Sequence, residues 1–219
     1  MKSISRCVCL LCLFAAMELR ADVIIQMTTI GNAGNADDLA WEGNPDVPED
    51  DIWLGGVSYD YQISTYEVTV AQYTEFLNAV AASDPYGLYN SSMATGPLGA
   101  TILQSGTDGS YTYSATAGTE NQPVGWVSFY DGIRLCNWMS NGQGSGDTET
   151  GSYTLSDGEG VSRTANATWV LPSEDEWYKA AYYDPDTDSY YTYPNGSDEV
   201  PAEPTDETTT REMNFGDDP

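Results

Sequence analysis

Three acids in a row, Glu174-Asp175-Glu176, and one isolated thiol, Cys136, are the side chains whose types invite a chemical reading. Adjacent carboxylates do acid–base work when their surroundings push their pKa values apart. A cysteine acts as nucleophile or metal ligand through its thiolate, which needs a neighbouring base or cation. The chain has no histidine, so a Cys–His pair is excluded. The acids follow Ser173, and Ser173 with Glu176 fits a capping box. Negative charge in a first helical turn also favours the helix dipole. The carboxylates are therefore expected to be structural, and Cys136 is expected to be an inert thiol on an apolar helix face. No catalytic residue and no cofactor-binding residue is assigned. Trp126, Trp138, Trp169 and Trp177 could stack on sugar rings. Trp138 and Trp177 fall inside helical motifs, however, and are predicted to be core. Trp177→Ala is accordingly expected to damage the fold far more than Tyr191→Ala. The tyrosines of Tyr182-Tyr183 and Tyr190-Tyr191 are less constrained and open to exposure.

The elements that must position these groups follow from local pattern. Asp22 to Ile30 reads as an edge strand, and residues 31–51 as a loop rich in Gly, Asn, Asp and Pro. Val57, Tyr59, Tyr61 and Ile63 alternate with polar or small residues, as in a half-buried strand. Thr69 and Gln72 form a capping box ahead of Tyr73, Phe76, Leu77 and Val80, spaced for one helix face. Residues 82–122 form a polar insertion with a hairpin expected near Gly106 to Gly109. Ser128 caps a second helix that carries Asp131 in its first turn, Ile133, Leu135, Cys136 and Met139 inward, and Asn141-Gly142 at its end. A short strand is admitted at Ser152 to Leu155 and another is expected at Thr168 to Leu171. Pro172 stops the latter, Ser173 starts a third helix, and Trp177, Ala180 and Ala181 are placed on its inner face. Tyr190, Tyr191 and Tyr193 suggest a further strand. No internal repeat is present. Short strands, two or three helices and long loops describe an α+β domain.

Three segments resemble, in order and wording, one known family. They are Tyr66-Glu67-Val68-Thr69-Val70-Ala71-Gln72-Tyr73-Thr74-Glu75-Phe76, Pro123-Val124-Gly125-Trp126-Val127-Ser128-Phe129-Tyr130-Asp131 running on to Cys136-Asn137-Trp138, and Leu171-Pro172-Ser173-Glu174-Asp175-Glu176-Trp177. The family is that of formylglycine-generating enzymes, or sulfatase-modifying factors, and the resemblance covers roughly residues 57–184. It implies an irregular C-type-lectin-like domain. Catalytic members convert a sulfatase cysteine to formylglycine with copper and oxygen, binding copper through two cysteines near the end of the domain. The cysteine of the C-x-W motif, matched here by Cys136, is not one of them. This chain reaches Pro219 without such a pair, so the resemblance implies a domain incomplete at the C-terminus and no carried-over catalysis. Copper is therefore not expected, and no cofactor is expected for this chain. Calcium is admitted: the family's first calcium ligands come from an Ala-Asn-hydrophobic segment, which Met213-Asn214-Phe215 resembles. Asn214, by its side-chain oxygen, and Phe215, by its carbonyl, would form half a site.

Composition bounds the rest. Lys2 and Arg6 precede an apolar run from Cys7 to Ala16, the pattern of a secretory signal, with cleavage expected near Ala16 or Ala21. Cys12 lacks the small residue before it that lipidation requires. The expected organisation is a signal peptide over residues 1–21, a partial sulfatase-modifying-factor-like domain over 22–194, and an acidic, poorly ordered tail over 195–219. The expected location is secreted, periplasmic or extracellular. Three of the four cysteines lie in the signal, so the exported chain is expected to fold without an internal disulfide. The formal charge is −27, with 34 acids against seven bases. Nucleic acid is a poor partner, since phosphate binding needs a basic patch, and no apolar run is long enough to span a membrane. The acids are scattered, as on a solvated, self-repelling surface. Three Asn-X-Ser/Thr triplets, at Asn90, Asn166 and Asn195, carry no assigned function. The function expected is that of an exported sulfatase-modifying-factor-like protein without oxidase activity. Two alternatives are a non-catalytic module that binds a glycan or protein surface, and a non-functional truncated gene product.

Overall fold

The computed structural model describes residues 22–41, 51–96, 101–155 and 160–201. The expected signal peptide lies outside them, as do Asn214 and Phe215. Residues 195–201, the start of the expected tail, are described. They close a small turn in which Tyr193 bridges Ser197 and the Asp198 carboxylate accepts from the Thr192 N–H at 2.8 Å.

Among the described residues twelve elements follow one another: β1 (Met27–Ile30), β2 (Asp38–Trp41), β3 (Ile52–Leu54), β4 (Tyr61–Ser64), α1 (Val70–Val80), α2 (Ser92–Thr95), β5 (Ile102–Ser105), β6 (Thr112–Ala115), α3 (Phe129–Ser140), α4 (Glu174–Tyr182), β7 (Tyr183–Asp184) and β8 (Ser189–Tyr190). All strands pair antiparallel in two-stranded ribbons: β1 with β4, β2 with β3, β5 with β6 and β7 with β8. The content is α+β. One strand, β2, lies inside the stretch expected to be loop. The half-buried strand expected from Val57 begins only at Tyr61, because Val57 N–H is taken by Asn35 Oδ1 and its carbonyl by Gly34.

The three longer helices, α1, α3 and α4, start as local chemistry dictates. Thr69 with Gln72, Ser128 with Asp131 and Ser173 with Glu176 each close a complete capping box, satisfying backbone N–H groups a helix end leaves orphaned. Helix α1 buries Tyr73, Phe76 and Leu77 completely. They pack against the β5–β6 hairpin and against Leu135, Trp138 and Met139 of α3, with the Phe76 and Trp138 rings 5.3 Å apart. The other face of α3 carries Ile133 and Cys136 into a smaller core with Tyr153 and the segment around Trp169 to Leu171. A polar spine holds this second core. Asn137, fully buried, donates to Thr148 O and accepts from Tyr153 N–H, both at 2.8 Å.

Residues 168–171 are not a strand. Their N–H groups go instead to side chains: Thr168 to Ser152 Oγ, Trp169 to Ser140 Oγ and Leu171 to the Tyr153 hydroxyl, at 3.0–3.2 Å. No donor is left at those positions for a ladder. In place of the strand admitted at Ser152 to Leu155, Tyr153 and Arg163 form an isolated bridge.

Trp177 is not core. It is 53% exposed, whereas Trp138 is 2% exposed. Helix α4 is instead held through the neighbouring positions. Gly55 N–H donates to Asp175 Oδ1 at 3.1 Å, Tyr178 donates to Asp38 Oδ2 at 2.8 Å, and Lys179 Nζ donates to Asn32 O at 2.9 Å. Glu176 and Lys179 are buried on this face. Polar contacts to β2, to Gly55 just past β3 and to the loop at Asn32 thus set the rotation of the helix, and Trp177 is turned outward. The expected ranking of Trp177→Ala over Tyr191→Ala loses its basis.

Candidate functional site

The functional candidate that the folded chain presents is a groove of about 930 Å³, within the range typical of ligand sites. Its floor is one face of α3: Gly132, Leu135, Cys136 and Met139, at the spacing of successive turns. One wall is residues 59–64, leading into and through β4; the other is residues 167–172. Ile25 and Met27 add apolar surface beneath β4.

At one end the groove is closed by a polar cluster built on Glu176. Arg163 binds its carboxylate with both terminal nitrogens, at 2.8 Å to Oε1 and 2.5 Å to Oε2. The Tyr59 hydroxyl donates to Oε1 at 2.7 Å, and Ser173 N–H to Oε2 at 2.7 Å. Arg163 also donates to Leu171 O, and the Tyr61 hydroxyl to Glu176 O. The Arg163 guanidinium above all holds the Glu176 carboxyl down, to about 2, helped by the Tyr59 and Ser173 donors and opposed by burial. Glu176 in turn raises Arg163. This is a permanently ionised, saturated pair. It has no proton to give or take near neutral pH, so it ties α4 to the 163–172 segment and fixes the shape of the groove.

The candidates suggested by residue type are dispersed by the fold. Glu174-Asp175-Glu176 do not act as a carboxylate cluster: Asp175 caps Gly55, Glu176 pairs with Arg163, and Glu174 is exposed. Cys136 is on the groove floor, 9% exposed, and burial pushes its thiol up to about 12. Of the tryptophans, Trp138 is core, Trp169 lines the groove, and Trp126 and Trp177 are both about half exposed. Sequence reasoning does not single out Arg163 or Lys179. The chain holds seven cations, and that scarcity is the signal that could have found them. The three among the described residues each have a specific partner. Besides the two already placed, Arg134 pairs with Glu149 at 2.6 Å and lies 4.4 Å from the Tyr86 ring centre.

A copper site of the implied kind needs soft thiolate donors. Outside residues 1–21 the sequence offers only Cys136, and here that thiol is neutral and walled by apolar groups. The described residues do not fit the metal. For calcium, no group of three or more acids, histidines or cysteines arranged to hold a metal ion occurs among the described residues. No helix among them is long and apolar enough to cross a membrane.

A family model, the sulfatase-modifying factor enzyme 1-like domain, matches residues 22–217. No curated protein and no solved structure matches the chain. The match takes in all three capping-box helices, the Arg163–Glu176 pair and the groove, so the chain belongs to the family of sulfatase-modifying factor enzyme 1-like domains.

Proposed function

We propose that this chain is an exported sulfatase-modifying-factor-like domain of C-type-lectin-like architecture that does not itself generate formylglycine and serves as a recognition scaffold. The state of Cys136 carries this reading. Oxidation of a substrate cysteine by the family's copper chemistry needs a reactive thiolate pair, and this chain supplies, after its leader, a single neutral thiol packed beside Ile133 and Tyr153. Export rests on the basic and apolar leader at residues 2–16. The Arg163–Glu176 pair and the three capping boxes act as fold signatures. They hold a large groove open, and the ion pair that closes its end keeps its charges near neutral pH. A copper(I) titration against a competing chelator tests the reading. Parent and Cys136→Ser should bind equally. Tight binding lost on Cys136→Ser would overturn it.

One observation favours glycan recognition as a second reading. Trp126 is 52% exposed and has φ of 63°, a left-handed conformation that a bulky residue adopts at a cost of about 1–2 kcal/mol. Phe129 and Tyr130, three and four residues on, are 61% and 51% exposed, with ring centres 5.6 Å apart. An exposed aromatic group held under backbone strain is a feature of binding surfaces. Quenching or shift of tryptophan fluorescence by oligosaccharides, abolished by Trp126→Ala, checks it; an unchanged titration in the variant removes Trp126 from the account.

A further inference from the structure

We infer that a smaller pocket, between the loop that follows α1 and the loop that follows α3, binds the ring of a neutral saccharide. The pocket holds about 350 Å³, at the lower end of the range for ligand sites. One wall comes from residues 80–88 and the other from residues 145–148, all of them described. Neither loop belongs to the three segments that carry the family wording, 66–76, 123–138 and 171–177. The pocket is thus built by sequence particular to these loops, and it shares no residue with the groove beside β4.

Both walls are pinned before any ligand arrives. In the first, the Asp84 carboxylate accepts from the Leu88 and Tyr89 N–H groups, each at 2.9 Å. Ser83 donates to Asp108 Oδ1 at 2.6 Å and the Tyr111 N–H to Ala82 O at 2.9 Å, which ties this loop to the β5–β6 hairpin. In the second, the Asn141 side chain donates to Asp147 O at 3.0 Å and to Thr150 O at 2.8 Å. The Asp147 carboxylate accepts from the Glu149 N–H at 2.8 Å and from the Thr150 hydroxyl. The Tyr86 ring is braced from behind. The Arg134 guanidinium lies 4.4 Å from the ring centre, does not line the pocket, and is itself gripped by both Glu149 oxygens at 2.6 and 3.1 Å. A ring 48% exposed is thereby fixed as one side of the cavity. Preorganisation of this kind lowers the ordering cost of binding.

The lining selects the ligand. Val80 and Leu88 are apolar, Tyr86 offers an aromatic face, and Asp84 and Asp147 offer acceptors. The Ser145 hydroxyl and the Gly146 N–H are donors with no partner among the described residues. The Thr150 hydroxyl and the Glu149 N–H hold the Asp147 carboxyl below its usual range, so it is charged at neutral pH. An anion is repelled by the two carboxylates, and no cation lines the pocket to offset them. A metal ion needs a larger donor group, and none occurs among the described residues. An organic cation would find the carboxylates, but the pull of the Tyr86 ring on positive charge is already taken by Arg134, and Ser145 and Gly146 would donate to nothing. A saccharide ring uses every group. Some hydroxyls donate to the carboxylates in charge-assisted bonds, others accept from Ser145 and Gly146, and the C–H face lies on Tyr86. This goes beyond the readings above, because Cys136 and Trp126 both lie outside the pocket. The copper titration reports on the first, the fluorescence titration on the second, and the experiment below on Ser145 and Gly146, so each fails separately.

The probes are glucose, galactose, mannose and N-acetylglucosamine, with glucuronic acid and glucosamine as charged comparisons. Amide shifts of the full chain are followed by NMR during each titration. The expected result is a saturable shift at Ser145 and Gly146 with at least one neutral sugar. Tyr86→Ala should weaken that binding at least tenfold, whereas Tyr86→Phe should stay within twofold of the parent, because stacking needs the ring and not its hydroxyl. Glucuronic acid should bind at least tenfold more weakly than the best neutral sugar, and glucosamine no more tightly than it; these two comparisons use the parent chain alone. No saturable shift with any neutral sugar up to about 100 mM would overturn the proposal. So would undiminished binding by Tyr86→Ala, equal binding of glucuronic acid, or shifts confined to Trp126 and its neighbours. Tighter binding of glucosamine would assign the pocket to an organic cation and would overturn it as well.

Discussion

Replacing Glu176 by Gln removes one charge while keeping size and two polar atoms, and its cost should depend on pH in a defined way. In the folded chain the carboxylate sits at about 2 rather than the usual 4.5. One pKa unit is worth about 1.4 kcal/mol, so the ionised form contributes about 3 kcal/mol. The Glu176 side chain is 6% exposed, so little of this is screened, but Arg163 is 32% exposed and can recover some hydration when its partner is lost. A loss of about 2–3 kcal/mol at pH 7 is expected. A depressed carboxylate stabilises the fold fully above its unfolded value and loses that contribution as pH falls through the folded value. The gap between parent and Glu176→Gln should therefore be constant above about pH 5 and shrink towards zero near pH 2. Urea melts of both proteins at several pH values give the gap directly. Taking the difference removes the contribution of the other acids, which the two proteins share. A gap that stays the same from about pH 7 down to about pH 2.5 would show that the carboxylate charge is not what matters, and the ion-pair account of this corner would be wrong.

Three further outcomes follow from burial and bonding. Trp138→Ala should cost about 3–5 kcal/mol in the same melts, as expected for truncating a buried ring, whereas Trp177→Ala should stay within about 0.5–1 kcal/mol; comparable losses would mean that α4 is rotated from the position described. Asn137→Ala should cost about 2–4 kcal/mol, because it strands the buried Thr148 carbonyl and Tyr153 N–H; a neutral result would mean that water reaches both groups. Native Cys136 should react with a disulfide reagent at about pH 8 at least a hundredfold more slowly than in urea, given its burial and raised thiol; fast native labelling would place it in open solvent.

The parts of this fold legible in the sequence are the local ones. Each capping box joins residues three apart, so Thr69, Ser128 and Ser173 announce their helices with no need of tertiary information. The β5–β6 hairpin is equally local. The rotation of α4 is not, since it is set by Asn32, Asp38, Gly55 and Tyr59, more than a hundred residues away. Periodicity places Trp177 inward on the assumption that an apolar face must face the core. Here Glu176 and Lys179 take that face, because Arg163 and the Asn32 carbonyl satisfy their charges. Thr168 to Leu171 has the composition of a strand, yet Ser140, Ser152 and Tyr153 side chains accept its backbone donors first. The groove is invisible for the same reason: β4, α3 and residues 167–172 meet only in the fold. The family is legible because its wording sits in the helix starts themselves.

This family member is proposed not to generate formylglycine. The direct test is to incubate the full chain with copper, oxygen and a peptide bearing a sulfatase-type cysteine motif, and to follow the peptide by mass spectrometry. The expected result is unchanged peptide, with aldehyde no higher than in a copper-only control. Aldehyde accumulating over many turnovers, and proportional to protein concentration, would contradict the account.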